Sequence, residues 1–328
     1  MSDSTISWGI IGCGDVTEIK SGPAFNKVPN SVLTAVMRRD AAKAEDYAHR
    51  HGVPVWYSDA DALINDPNVN AIYVATPPAF HEQYTKAALQ AGKPVYVEKP
   101  MAIDADACKR MAYTAENLEV KLTIAHYRRA VPMFKQVKTL LDEAAIGTIR
   151  MVNLQTFNAP KPSLVANTEE NWRTNPALSG GGYFHDLAPH QLDLLYHYFG
   201  APIELHGFAL NQSGLYEADD MVSGQALFAN NILFNGQWNF NCTGIEPREW
   251  CEIIGSEGSI GFPFFGNRIV LQQNGKAPQH FDFIHPAHIQ EPMIAEVVQY
   301  FLGNIPNPCP ATEAIDIALM MDTFTRKQ

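Results

Sequence analysis

Apolar positions in the first third of the chain fall into short continuous runs separated by segments with helical spacing. Ile6 to Ile11 is an apolar run that ends in glycines, and Val32 to Met37 is rich in β-forming residues. The stretch Ala41-Ala42-Lys43-Ala44-Glu45-Asp46-Tyr47-Ala48 favours helix. Ala71-Ile72-Tyr73-Val74-Ala75 reads as a buried strand closed by Thr76-Pro77-Pro78, and His81 to Ala91 as a helix stopped by Gly92. Pro94-Val95-Tyr96-Val97 is a further strand, followed by a helix over 104–118 with Asp104 as its N-cap. Strands alternating with helices at this spacing imply βαβ units and a parallel sheet covered on both faces.

The pattern changes after about residue 125. A helix is expected from Val131 to Glu143, then a strand after Gly147 running through Phe157. A polar stretch from Asn158 to Asn175 leads into the run Gly180-Gly181-Gly182. From Ile203 to Phe283 the signals are mostly strands with turn residues between them, such as Ala229-Asn230-Asn231 and Gln273-Asn274-Gly275. Two helices, near 290–302 and 312–326, finish the pattern. Consecutive strands joined by tight turns make an antiparallel or mixed sheet. The expectation is an α/β chain of two domains. Residues 1–125 form a doubly wound parallel domain, and 126–328 an α+β domain with an open, largely antiparallel sheet. The C-terminal helix is a candidate to pack back on the first domain.

Composition narrows the classes. The 328 residues suffice for two cores, and 46% hydrophobic with 18% charged residues is a globular mixture. A formal net charge of −11 lacks the basic footprint that nucleic acid or an anionic membrane requires. Cys13, Cys108, Cys242, Cys251 and Cys309 are odd in number and include no C-x-x-C pair, which reads as reduced thiols. Met1-Ser2-Asp3-Ser4-Thr5 lacks the basic and then apolar regions of a secretory signal, and no apolar run reaches membrane-spanning length. A soluble cytoplasmic protein is expected, with no metal, since no histidines show ligand spacing.

Ile10-Ile11-Gly12-Cys13-Gly14-Asp15-Val16-Thr17 follows the first strand and opens the first helix. Gly12 permits the tight turn, and Gly14 lets backbone approach a pyrophosphate held by the free N–H groups of the helix start. Thr17 stands where the third glycine of G-x-G-x-x-G would be. These letters point to a Rossmann domain for NAD(P), although a plain strand-to-helix turn can share them. The second strand ends at Met37 and continues Arg38-Arg39-Asp40. Two guanidiniums suit the 2′-phosphate of the cofactor, so NADP(H) is favoured over NAD(H), while Asp40 remains a candidate for a ribose. Lys20-Ser21-Gly22-Pro23 interrupts the first helix, and the pattern offers no reason for it.

Three more segments carry a resemblance. Glu98-Lys99-Pro100 follows a strand, and Trp172-Arg173 precedes the glycine run. That run continues Gly180-Gly181-Gly182-Tyr183-Phe184-His185-Asp186-Leu187-Ala188-Pro189-His190-Gln191-Leu192-Asp193. Together with the first glycine loop and Thr76-Pro77-Pro78, the chain resembles the glucose-fructose oxidoreductase/inositol dehydrogenase (Gfo/Idh/MocA) family over nearly its whole length. The resemblance implies an active site between the two domains and hydride transfer between nicotinamide and a secondary alcohol carbon of a sugar, cyclitol or related polyol. It makes Lys99, Asp186 and His190 the catalytic set. It adds Thr76, Pro77, Glu98, Lys99, Trp172 and Arg173 to the cofactor contacts Gly12, Cys13, Gly14, Asp15, Val16, Thr17, Arg38 and Arg39. Arg128, in Tyr127-Arg128-Arg129, is the candidate for a further substrate contact.

Elementary chemistry agrees with that set. Oxidising a secondary alcohol requires a base for the hydroxyl proton, and imidazole titrates near neutrality. A lysine ammonium stabilises developing negative charge on oxygen. Asp186 and His190 are four residues apart, so on a helix they share a face, as many surface pairs also do. Pro189 cannot donate to the His185 carbonyl, so the helix is expected to begin near Asp186 or to bend there. Among the other histidines, His81 is expected to open or pack a helix, and His126, His185 and His197 to be core or rim residues. Two other activities share the resemblance: a glycosidase using tightly held NAD, and a non-catalytic NAD(P)-binding regulator. An open sheet face needs cover, and a second copy of the chain is the expected cover, as a homodimer or homotetramer.

Overall fold

The computed structural model describes residues 5–162, 171–244 and 247–325. Part of the polar stretch expected over 158–175, namely 163–170, therefore lies outside the described residues, as does residue 326 of the last expected helix.

Six strands make the first sheet: β1 (Ile6–Ile11), β2 (Ser31–Met37), β3 (Val55–Tyr57), β4 (Ala71–Val74), β5 (Val95–Val97) and β6 (Leu122–Ile124). All neighbours run parallel, in the order β3-β2-β1-β4-β5-β6, which is the doubly wound dinucleotide-binding order. All four residues of β4 and all three of β5 are buried, which is why these strands read as unbroken apolar runs. The connecting helices are α1 (Asp15–Ile19), α2 (Ala41–His51), α3 (Ala60–Ile64), α4 (His81–Gln90) and α5 (Ala105–Asn117). The Asp104 side chain accepts from the Ala107 N–H, so it is the N-cap that its position implied. β3, β6 and α3 had no counterpart in the sequence pattern. Three to five residues are too few to show a period.

A second compact unit comprises 131–285 with 316–328. Its helices are α6 (Pro132–Asp142), α7 (Pro176–Ser179) and α8 (Gly182–Phe199). Its strands are β7 (Ile149–Phe157), β8 (Glu204–Leu210), β9 (Met221–Phe228), β10 (Ile232–Asn239), β11 (Arg248–Gly255), β12 (Gly258–Phe262), β13 (Arg268–Gln273) and β14 (Gln279–Asp282). They form one sheet in the order β14-β13-β12-β11-β7-β10-β9-β8, antiparallel except for the parallel pair β10–β7. Alternate residues of β9 and β10 are buried, so this sheet has one face on a core and one open. The β9–β10 hairpin turns through Asn230 and Asn231, both with φ of 60°, a left-handed conformation that asparagine tolerates.

Two helices follow, α9 (Glu291–Phe301) and α10 (Ala311–Phe324). Residues 286–315 group with Met1–Ala130 to complete the first unit. Within it, the segment after α9 lies along the edge strand β6. Ile124 N–H and the Thr123 hydroxyl donate to the Cys309 carbonyl, and the Asn307 amide donates to the Leu122 carbonyl. No helix among the described residues is long and apolar enough to cross a membrane.

Candidate active site

The glycine turn after β1 is built from both neighbouring strands. Gly12 and Cys13 N–H groups donate to the Met37 carbonyl at the end of β2. Gly12 has φ of 95°, and a Cβ there would lie 2.8 Å from Thr76, so only glycine fits. Gly14 differs. Its φ is −131°, which any residue can adopt, and the nearest atom to an added Cβ is 3.9 Å away. The glycine thus keeps open a space that the described residues do not fill. Gly14 caps α1, and Asp15 and Val16 supply first-turn N–H groups without intrahelical acceptors. Thr17 is fully buried and its hydroxyl donates to the Gly14 carbonyl, bracing the turn from behind. Burial pushes the Cys13 thiol up to about 11, so Cys13 contributes backbone and not a thiolate.

Beside this turn, the Arg38 guanidinium donates to the Cys13 carbonyl at 3.3 Å. Arg39 is exposed and stacks on Phe80, 5.1 Å from the ring centroid. The Asp40 carboxylate caps α2, accepting the Lys43 N–H. Thr76 closes the turn on its other side, next to Pro77, and its buried hydroxyl oxygen has no hydrogen-bond partner among the described residues. An open cradle at Gly14, an orphaned hydroxyl at Thr76 and two guanidiniums after β2 are features that a dinucleotide fits.

At the end of β5, Glu98 is buried and its carboxylate is held from within the unit. Tyr73 OH and Gln290 Nε2 donate to Oε1 at 2.5 and 2.6 Å, and the Lys99 N–H donates to Oε2 at 3.2 Å. Lys99 is half-buried and joins Pro100 through a cis peptide. His81 opens α4 with one ring nitrogen 2.7 Å from the Thr76 carbonyl and the other 3.0 Å from the Pro100 carbonyl. It therefore spans the two loops that carry Thr76 and Lys99. Burial lowers its pKa. Arg128 is buried with its guanidinium over Tyr127.

In the second unit the glycine run is filled by the protein itself. Gly180 has φ of 89° and ends α7; Gly182, with φ of 80°, would place a Cβ 2.6 Å from that of Ala218. At Gly181 a Cβ would strike the His185 ring at 2.3 Å, where His185 Nδ1 sits 3.0 Å from the Gly181 carbonyl. His185 is accordingly a core residue, while His197 is exposed. α8 starts at Gly182 and carries Pro189 in its interior, so of the two expectations, a start near Asp186 or a bend there, the start is corrected. The left-handed glycines before it, with the Ser179 hydroxyl accepting the Gly181 and Gly182 N–H groups, set the earlier start.

Asp186 and His190 lie one turn apart on α8. Arg173 donates to Asp186 Oδ2 at 2.9 Å and stacks over Trp172 at 4.5 Å, so Trp172, Arg173 and Asp186 form one assembly. His190 is nearly buried and meets the edge of Phe265, with ring centroids 5.9 Å apart. Phe265 is anchored by Glu249, which accepts its N–H and also the Gln191 amide, while Gln191 accepts from Trp238. Phe265, Phe80 and Gln290 were absent from the sequence reading, since nothing local links them to their partners. Among the described residues there is no cluster of three or more His, Cys, Asp or Glu that could hold a metal.

Comparison with known proteins gives the context. Residues 6–126 match the oxidoreductase family with an NAD-binding Rossmann fold, and 134–261 match the GFO/IDH/MocA C-terminal domain. Oxidoreductase P35 of Formosa agariphila is 44% identical over 322 residues, covering 98% of this chain and 99% of the relative. The chain belongs to the Gfo/Idh/MocA family of oxidoreductases. An oxidoreductase from Thermotoga maritima has the same fold, with a TM-score of 0.86 at 24% identity over 98% of this chain and 96% of that one. Levoglucosan dehydrogenase, solved with NADH and levoglucosan, matches with a TM-score of 0.84 at 22% identity, again over 98% and 96%. As a Gfo/Idh/MocA member the protein is an NAD(P)-dependent oxidoreductase of a family that acts on CH–OH groups.

Proposed function

We propose that this protein transfers a hydride between NADP(H) and a secondary alcohol or ketone carbon of a sugar, cyclitol or related polyol. The observation that carries this is the carboxylate and imidazole of Asp186 and His190 one turn apart on α8, with Arg173 holding the carboxylate. The nicotinamide, when bound, accepts or supplies the hydride. In this reading His190 takes the hydroxyl proton in oxidation and returns it in reduction. Lys99 stabilises the negative charge that develops on the same oxygen. Asp186, fixed by Arg173, accepts a hydrogen bond from the substrate and orients it. Sugar-acting relatives, levoglucosan dehydrogenase among them, support a carbohydrate-like substrate.

NADP(H) is favoured over NAD(H) because two guanidiniums, Arg38 against the Cys13 carbonyl and Arg39 over Phe80, follow β2, while Asp40 is engaged as a cap. We further place the chain in the reducing cytoplasm as a homodimer or homotetramer. Phe208, Leu210, Leu233 and Trp250 are exposed large apolar residues on the open sheet face, and a second copy covers them. The deciding experiment is a fluorescence titration with NADPH and NADH, followed by a sugar and polyol panel. NADPH should bind at least ~10-fold tighter, as expected for charge-assisted contacts to one phosphate, and Arg38→Ala should narrow the gap. Binding of neither nucleotide by folded, cofactor-free protein would overturn the reading. The same preparation should elute above monomer mass at micromolar concentration, and a monomer would remove the sheet-face assembly.

A further inference from the structure

The interruption Lys20-Ser21-Gly22-Pro23 gains an account from what surrounds it. α1 stops at Ile19, and the chain turns away through Ser21 into a short 3₁₀ turn over Gly22–Asn26. Gly22 is required there, because a Cβ would come within 2.2 Å of both the Thr17 carbonyl oxygen and the Tyr47 hydroxyl. Breaking the helix releases the carbonyls of Ile19 and Lys20 from helical partners. Each meets the segment before α9: His288 Nδ1–H donates to Ile19, and the Gln290 N–H donates to Lys20.

That contact delivers a buried amide to the end of β5. Gln290 has no exposed surface, its Nε2 donates to Glu98, and its Oε1 accepts from Tyr96 OH at 3.3 Å. Tyr73 donates to the same Glu98 oxygen. The break, β4, β5 and the α9 cap thus meet in one polar knot around a single carboxylate. A buried carboxylate and amide are costlier to keep than apolar side chains of similar volume, so such a knot stabilises the fold less than it specifies one geometry. The geometry it specifies is that of the next residue, because Glu98 Oε2 accepts the Lys99 N–H.

We infer that Gln290 is a positioning residue for Lys99, acting with Tyr73 through the Glu98 carboxylate. The inference rests on the proposed role of Lys99 in catalysis. Neither Gln290 nor Tyr73 touches the reacting atoms; each fixes the backbone from which the ammonium is presented. A misplaced catalytic group slows the chemical step without weakening nucleotide binding.

The test compares Gln290→Leu and Tyr73→Phe with wild type and with Lys99→Met. The first readout needs no substrate: hydrogen–deuterium exchange at the Lys99 amide should be at least ~10-fold faster in both variants, as the N–H loses a fixed acceptor. The second uses a sugar or polyol that the panel shows to be turned over. The kcat should fall about 10–100-fold with the NADPH Kd unchanged, as for a displaced catalytic group. The deuterium isotope effect on kcat should rise, which mere loss of folded enzyme would not cause. Should Gln290→Leu fail to fold, the near-isosteric Tyr73→Phe decides. Unchanged exchange, or unchanged kcat, in the folded variants overturns the inference, and if Lys99→Met loses turnover in the same assay the catalytic reading survives that failure. Wild-type kcat in Lys99→Met overturns both.

Discussion

The two glycine-rich turns look alike as letters and do opposite things. Around Gly12-Cys13-Gly14, one glycine fits the turn against Thr76, and at the other the nearest described atom to an added Cβ is 3.9 Å away. Around Gly180-Gly181-Gly182, the neighbouring space is taken by His185 and Ala218. The first turn leaves open the space that we propose a dinucleotide takes. The second lets the chain fold back on itself so that α8 starts early enough to carry Asp186 and His190 along one well-anchored helix. A glycine's purpose is therefore read from what stands where its side chain would be.

This contrast can be broken by substitutions whose effects should fall in separate columns. The largest effect belongs to the proposed chemistry of the helix behind the second turn. His190→Ala should lower kcat by roughly 10²–10⁴-fold, the usual contribution of a general acid–base group, with NADPH affinity nearly unchanged. Wild-type kcat in that variant would remove His190 from the mechanism. Next come the turns themselves. Gly182→Ala forces a left-handed backbone and a clash with Ala218, and should cost about 2 kcal/mol, roughly 4–8 °C in Tm. Gly14→Ala should leave Tm within about 1 °C, since its backbone is unstrained, yet weaken NADPH binding at least ~10-fold by filling the approach to the pyrophosphate. If Gly14→Ala proved the destabilising variant and Gly182→Ala the binding variant, the contrast would be reversed.

The smallest effect concerns the short helix behind the first turn. The Arg50 guanidinium, with help from His51, holds the Glu18 carboxyl down to about 2 from its ordinary 4.5. A depressed carboxyl contributes stability that is complete above its unfolded value and is lost as pH falls through its folded value. The Tm difference between wild type and Glu18→Gln should accordingly be widest above pH 4.5 and close toward pH 2. A difference that grew on acidification would show that Glu18 is not ion-paired in solution.

What could be read from the chain follows the range of the interactions. β1 and β4 announced themselves because both faces are covered and nearly every position is apolar. Asp104 and the Asn230-Asn231 turn were legible because their chemistry is satisfied within a few residues, and Gly12 because its motif letters are contiguous. Val55-Trp56-Tyr57 and Leu122-Thr123-Ile124 were not, being too short for any period to emerge. The site divides in the same way. Lys99, Asp186 and His190 were named from motif letters. The Arg173–Asp186 pair, the Phe265 edge on His190 and the Gln290–Glu98 bond join residues whose separation leaves no local signature. Pro189 did not fix the helix start, because the glycines before it set the first turn independently.

The chain order of the first unit has a consequence for its birth on the ribosome. β6 is an edge strand, and the residues that dress its edge, Asn307 and Cys309, are translated only after the whole of 131–285. A nascent chain that has already assembled the parallel sheet must wait, with that edge bare, while another unit's worth of polypeptide emerges. Bare edges recruit strands from neighbouring chains, so the interval between synthesis of β6 and of residue 309 is when newborn copies are most prone to pair wrongly. Slower translation of the intervening segment would lengthen that exposure, and a chaperone acting on this protein would be needed most during it.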